Sequence, residues 1–175
     1  MTNSLSLRFE KAIHFITKHF PVSVEATRKP RIFHVIRVGV YLYDHNYSED
    51  IVLGGLLHDT IEWSRATKEI VKDEFGDKVL KLVLANTKDD SISDKYEKTV
   101  ELIQRCVRNG QDALIIKTAD ILDSFKWYSD QNNQSELKYC VRNANAILKF
   151  KPDNFNDKIF DELKIWQQRF SDLSE

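Results

Sequence analysis

Glycine and proline are scarce in this sequence, with 5 and 3 occurrences among 175 residues. Because these residues mark sharp turns, their scarcity argues against an all-β fold and favours long helices. The charge is balanced as well, since 26 basic and 27 acidic residues leave a net charge of −1. No basic tract typical of DNA or RNA binding is present, while a local cationic pocket is compatible with this balance.

Long apolar runs and cysteine motifs are also missing. No apolar run approaches the roughly 20 residues of a membrane span. The first residues, 1–8, lack a basic segment followed by an apolar one, so we expect a cytoplasmic protein. Cys106 and Cys140 lie 34 residues apart without a CxxC pattern, which predicts buried free thiols. Neither a glycine-rich phosphate loop nor a Ser or Cys nucleophile elbow is present, which argues against those chemistries.

Apolar residues recur at three- and four-residue steps along most of the chain, which predicts an all-α fold of about eight or nine helices. The predicted helices are Leu5 to Phe20, Ile32 to about His45, Asp50 to about Trp63, Lys68 to Phe75, one from Asp77, Ser93 to Asn109, Gln111 to about Tyr128, Glu136 to Phe150, and Asp157 to Leu173. The length fits one domain over residues 1–175, with its motifs at about 10–130 and further helices at 136–173. The last helix could cover the core or a second subunit, so a homo-oligomer is left open.

One predicted buried helix carries two adjacent polar residues, His58 and Asp59, at the end of an apolar run. Burying both is costly unless something satisfies them, and a bound metal ion would do so. His34 lies near the start of another apolar helix, and Asp120 lies inside a third. Two imidazoles and two carboxylates suit a divalent ion such as Mn²⁺, Fe²⁺, Co²⁺ or Zn²⁺. Taken singly, His34 is more often a hydrogen-bonded structural histidine than a metal ligand, and a buried Asp120 is more often salt-bridged or capping.

The order His…His-Asp…Asp resembles the HD superfamily of metal-dependent phosphohydrolases, whose fold is a helical bundle. The resemblance is closest to the hydrolase domains of the RelA/SpoT type, which act on (p)ppGpp. The matching segments are Arg28-Lys29-Pro30-Arg31-Ile32-Phe33-His34, Leu56-Leu57-His58-Asp59-Thr60-Ile61-Glu62-Trp63, Phe75-Gly76-Asp77-Lys78-Val79 with Asn86-Thr87-Lys88, and Lys117-Thr118-Ala119-Asp120-Ile121-Leu122-Asp123-Ser124. It implies a divalent ion, Mn²⁺ first and Fe²⁺, Co²⁺, Ni²⁺, Zn²⁺ or Mg²⁺ as alternatives. The implied ligands are His34, His58, Asp59 and Asp120.

The sequence departs from that family at three places. The family keeps Glu-Asp where this chain has Glu62-Trp63, and Asn where it has Ser124. The basic loop before His34 is also shorter. Trp63 could pack in the protein or stack on a base, and both alternatives stay open at this point.

Glu62 follows His58 by four residues and Asp59 by three, so a continuous helix would put all three on one face. There Glu62 could orient or deprotonate a water whose pKa the ion lowers to about 7 in favourable cases. We expect Asp59 to be catalytic as well, because it would be a ligand of the ion. The candidates for binding substrate phosphate are Arg28, Lys29, Arg31 and Lys117.

We therefore expect a metal-dependent phosphohydrolase that acts on a nucleotide or another small phosphate ester. A (p)ppGpp-like pyrophosphate is the leading substrate. One alternative is a nucleotidase or phosphodiesterase. Another is an HD domain that senses a metal or nucleotide without catalysis, which Trp63 and Ser124 motivate. In each case we expect a small phosphorylated partner, with neither a nucleic-acid polymer nor a membrane.

Overall fold

The computed structural model describes residues 2–23 and 29–173, where the regular structure is helical, so the all-α prediction is confirmed. The α-helices are α1 Thr2–His19, α2 Arg31–Asp44, α3 Glu49–Leu57, α4 Thr60–Trp63, α5 Lys68–Phe75, α6 Asp77–Asn86, α7 Lys95–Arg108, α8 Gln111–Asp130, α9 Gln134–Phe150 and α10 Ile159–Arg169. A 3₁₀ turn, Ser171–Leu173, follows α10. Within the described ranges, no helix has both the length and the apolar character needed to cross a bilayer.

The chain divides into two compact units, Met1–Thr87 and Lys88–Glu175. In the first unit, α3 packs against α1, α2 and α6. In the second, α9 packs against α7, α8 and α10. From Ile51 to Leu57, α3 is apolar and its residues are buried, as expected for a helix segment surrounded by others. The single domain expected over residues 1–175 stays a prediction.

The helix predicted from Asp50 to about Trp63 is divided in two by the structure. α3 ends at Leu57 and α4 begins at Thr60. Between them Asp59 has φ −89° and ψ −2°, the bridge region where many active-site residues lie. The apolar pattern continues across this break, so periodicity alone does not reveal it. The continuous helix predicted to put His58 and Glu62 on one face is therefore interrupted, and the placing of Glu62 beside His58 and Asp59 stays a prediction.

Helix starts follow local capping chemistry. Thr67 caps α5, because its side chain accepts a hydrogen bond from the backbone N–H three residues later. The start of α7 differs from the prediction, since Asp94 rather than Ser93 is the N-cap. The Asp94 carboxylate accepts from the N–H three residues later at 2.8 Å, and an anion is favoured at the positive end of a helix. Ser48 lies at the predicted N-cap of α3 but makes no side-chain cap bond.

Two glycines let α2 and α3 interlock. A Cβ added to Gly39 would lie 2.3 Å from Leu56 Cδ2 and 2.4 Å from Leu56 Cγ. A Cβ added to Gly55 would lie 2.3 Å from Leu42 Cδ1. Each helix therefore places a leucine over the glycine of the other. The close approach at Gly55 is made by the Leu42 side chain.

We expect Gly39→Ala to lower the free energy of unfolding by about 1–3 kcal/mol through overpacking. Gly55→Ala should lower the free energy of unfolding by less. Its new methyl would meet the Leu42 side chain at its end, whereas the methyl of Gly39→Ala would meet Leu56 at Cγ as well. Alanine's better helix propensity offsets about 1 kcal/mol at either site. Urea unfolding of both variants measures the difference. Equal losses would contradict this account of the packing.

Candidate functional site

Two buried histidines lie side by side in the first unit. His34 is on α2, His58 directly follows α3, and they are 1% and 2% exposed. Their rings are nearly perpendicular, with centroids 5.2 Å apart. Each offers a ring nitrogen within 4.8 Å of one from the other. Burying two imidazoles in this way is costly unless their nitrogens interact with a proton donor, an acceptor or a metal ion.

A main-chain carbonyl sets the orientation of His58. Its Nδ1 lies 2.7 Å from the carbonyl oxygen of Gly55, and because that oxygen only accepts, Nδ1 must carry the proton. The neutral ring then presents the lone pair of Nε2, as metal-bound histidines do. Nε2 lies 3.4 Å from Oδ1 of Asp59. Two ligands with bonds of about 2.0–2.2 Å lie roughly 3 Å apart on one ion, so this pair suits a shared cation.

His34 already faces a cation within the first unit. The Lys29 ammonium lies 2.9 Å from His34 Nε2. An ammonium can only donate, so Nε2 accepts and its lone pair points toward positive charge. The donor chemistry of His34, His58 and Asp59 therefore fits a divalent ion. Binding of substrate phosphate by Lys29 stays a prediction.

The second unit holds Asp120 on α8 with two polar neighbours. Asp120 is 7% exposed, and its Oδ2 lies 2.8 Å from the buried Lys117 ammonium. Burial lowers the pKa of Lys117, but the Asp120 charge, the Tyr139 side chain and the hydrogen bond to Asp120 together raise it by more. The net pKa therefore lies above its ordinary value, and the lysine stays charged. Ser124 Oγ donates to the Asp120 carbonyl at 2.8 Å. The salt bridge expected as the structural alternative for Asp120 is thus present, and roles for Asp120 in metal binding and for Lys117 in phosphate binding stay predictions.

The remaining predicted site residues have different environments. Arg28 lies outside the described residues. Glu62 is partly buried on α4, and its catalytic role stays a prediction. The Arg31 guanidinium carbon lies 3.8 Å from the ring centroid of Trp63. Sequence reasoning missed this contact, because no periodicity connects two residues that are 32 positions apart.

The two cysteines are free and buried, which confirms the prediction. Burial raises the pKa of the Cys106 thiol to about 12. The thiol is therefore protonated at neutral pH, where only a thiolate would be an effective nucleophile. Cysteine chemistry at Cys106 is thus disfavoured, in agreement with the missing nucleophile motif.

Comparison with known proteins gives consistent relatives. The chain is 29% identical over 165 residues to a guanosine-3′,5′-bis(diphosphate) 3′-pyrophosphohydrolase of Aquifex aeolicus, covering 92% of this chain and 23% of that protein. It is 29% identical over 140 residues to MESH1 of Drosophila melanogaster, which bears the same enzyme name, covering 71% and 78%. A Mycoplasma pneumoniae relative is 28% identical over 191 residues, covering 91% of this chain and 26% of that protein. The chain thus spans about a quarter of the length of the first and third of these relatives.

Solved structures show the same fold. The structure of a metazoan SpoT ortholog described as hydrolysing ppGpp has a TM-score of 0.73 at 22% identity, covering 93% of this chain and 94% of that one. A crystal structure from Listeria monocytogenes has a TM-score of 0.66 at 21% identity, covering 79% and 99%. The family model described as "HD domain" matches residues 12–143, well over half of the chain. The resemblance seen in the motifs is therefore confirmed, and the chain belongs to the HD domain family.

Proposed function

We propose that this chain is a metal-dependent phosphohydrolase that releases pyrophosphate from a (p)ppGpp-like nucleotide. The observation that carries the proposal is the buried pair His34 and His58 with Asp59 beside it, in a chain of the HD family. The relatives support the substrate class, because several are named guanosine-3′,5′-bis(diphosphate) 3′-pyrophosphohydrolases.

The proposed metal ligands are His34, His58, Asp59 and Asp120, with Mn²⁺ as the first choice. The sequence order of these four residues and their donor chemistry support the set. When bound, the ion would polarise the phosphate and lower the pKa of a bound water. A cytoplasmic location and a small nucleotide rather than a polymer also belong to this proposal, and a homo-oligomer stays a prediction.

The chain's own residues have separate tasks in the proposed reaction. The hydrogen bond to Gly55 fixes the proton on Nδ1 of His58 and so would leave Nε2 available to hold the ion. The Glu62 carboxylate takes a proton from the attacking water as the water oxygen bonds to phosphorus. The bond between that phosphorus and the ribose oxygen breaks, and the ribose oxygen takes a proton from solvent. Lys29 and Arg31 offset the negative charge of the phosphates.

An activity assay of the full chain tests this proposal. We expect Mn²⁺-dependent release of pyrophosphate from ppGpp, stopped by EDTA and restored by added metal. Asp59→Asn should lower kcat by at least about 100-fold, because a neutral amide is a poor metal ligand. The matched control is Asp73→Asn, since Asp73 is an exposed carboxylate on α5. This control should leave kcat within about twofold.

Other outcomes separate the alternatives. Turnover of mononucleotides or cyclic dinucleotides but not of ppGpp would identify a nucleotidase or phosphodiesterase. Metal binding without turnover of any of these compounds would favour a sensing domain. Failure to retain a stoichiometric divalent ion, measured by mass spectrometry after dialysis, would overturn the metal site itself.

A further inference from the structure

Arg31 occupies an electrostatically unfavourable place in the first unit. It is the first residue of α2, a 14-residue helix whose N-terminal end carries partial positive charge. The first turn contains no acidic residue, and the N-cap Pro30 makes no side-chain cap bond. A cation at this end is repelled by the helix dipole, so an anion bound there would relieve the repulsion.

Trp63 holds the guanidinium of Arg31 in a defined plane. The Arg31 guanidinium carbon lies 3.8 Å from the Trp63 ring centroid, which is close contact for a cation over an aromatic face. Trp63 is 37% exposed, so it is reachable from solvent and is not a core residue. All five N–H donors of a guanidinium lie in its plane. The indole therefore covers one face of the group and leaves donors at its edge for another partner.

The position of this pair connects it to the candidate site. Arg31 is three residues before His34 on α2, and Trp63 directly follows Glu62 on α4. A planar edge of N–H donors matches two oxygens of a phosphate, which is the usual reason for arginine at phosphate sites. A nucleobase could stack only on the face of Trp63 that Arg31 leaves open. The planar donors of Arg31 make a phosphate the ligand that suits this pair.

We propose that Trp63 is a positioning residue that holds Arg31 to bind a phosphate group of the substrate. The inference rests on the proposed function, because it assigns a phosphate-binding group to that same site. It explains how an exposed tryptophan can contribute to a site without touching the reacting atoms. It also implies that Trp63 affects substrate affinity and has little effect on the chemical step.

Binding to the metal-free protein tests this assignment without turnover. Titration calorimetry in EDTA would use inorganic pyrophosphate as the probe, and KM for ppGpp would be measured with Mn²⁺. Arg31→Gln should raise Kd and KM by about tenfold. Trp63→Leu should raise both by about threefold to fivefold, whereas Trp63→Phe, which keeps an aromatic face, should change them by less than about twofold. We expect kcat to stay within about twofold in all three variants.

The double variant distinguishes positioning from direct contact. If Trp63 acts through Arg31, Trp63→Leu has no further effect in the Arg31→Gln background. A further loss of affinity in that background would show that Trp63 contacts the ligand itself, and it would overturn the proposal. Greater loss of guanosine binding than of pyrophosphate binding in Trp63→Leu would do the same.

Phe33→Leu is the matched control. Phe33 is also an exposed ring under an arginine, since the Arg37 guanidinium carbon lies 4.6 Å from its centroid. This variant should leave pyrophosphate Kd unchanged. If Arg31→Gln and Trp63→Leu leave Kd and KM unchanged while hydrolysis is intact, this inference alone is rejected. The same holds if the natural chain shows no detectable binding of pyrophosphate. Absent ppGpp hydrolysis, with pyrophosphate affinity still dependent on both residues, would reject the proposed function alone.

Discussion

His58→Ala is expected to lower turnover of ppGpp by at least about 100-fold and to remove the stoichiometric divalent ion. The reason is the way in which the chain prepares this ring. The Gly55 carbonyl fixes the proton on Nδ1 at 2.7 Å, and Nε2 then lies 3.4 Å from Asp59 Oδ1. Alanine removes the nitrogen and leaves the carboxylate without its neighbouring ligand. Metal content by mass spectrometry and kcat with saturating Mn²⁺ measure the two effects.

His45→Ala is the control for the loss of a histidine. His45 Nδ1 also lies 2.7 Å from a carbonyl oxygen, that of Tyr41, but the side chain is exposed at the end of α2. This variant should retain both the metal and the turnover. Should His58→Ala keep full activity while its metal content falls, the ion would not be needed for hydrolysis. Should it keep both, His58 would not be a ligand.

Lys117→Met is expected to lower the free energy of unfolding by about 3–5 kcal/mol. Lys117 and Asp120 are 2% and 7% exposed, and the Lys117 ammonium lies 2.8 Å from the Asp120 carboxylate. Methionine fills a similar volume but removes the charge that neutralises this buried carboxylate. The penalty comes from the charge left behind rather than from the lost attraction alone. Urea unfolding in EDTA, without any bound ion, measures it.

Lys126→Met provides a comparison on the same helix. Lys126 pairs with Glu162 at 3.2 Å, but the two side chains are 46% and 31% exposed, so solvent screens the pair. We expect this variant to lose no more than about 1 kcal/mol. The double variant Lys117→Met with Asp120→Asn should recover part of the stability lost by Lys117→Met. Equal losses at the buried and the exposed lysine would contradict the burial argument.

The helices that local chemistry defines were predictable in detail. α5 has the predicted bounds Lys68–Phe75, because Thr67 caps its start and Gly76, at φ +91°, ends it. Local signals were weaker where two caps competed, so Asp94 replaced Ser93 at the start of α7. They failed at the α3–α4 break, where the helical spacing of Leu57 and Ile61 continues although α3 has ended. A turn at Asp59 depends on the elements packed around it, which periodicity does not record.

The sequence alone determined the helical class and the order of the chemical groups. His34, His58-Asp59 and Asp120 could be identified because polar residues in apolar helices are costly, and this cost is visible in the pattern. Recognising the HD family required only that order and its flanking motifs, and the family match to residues 12–143 agrees with it. The residues that carry the proposed chemistry are therefore identifiable from the order of amino acids along the chain.

Only the tertiary structure decided which side chains meet across distant segments. It puts the Arg31 guanidinium on Trp63 and Leu56 over Gly39. The position after Glu62, where the similar family keeps a second acid, thus holds an aromatic platform for a cation. Such contacts arise from the packing of α2 against α3 and from the turn into α4. Local propensities do not determine them, because they act within a few residues of the chain, whereas these partners are brought together by packing.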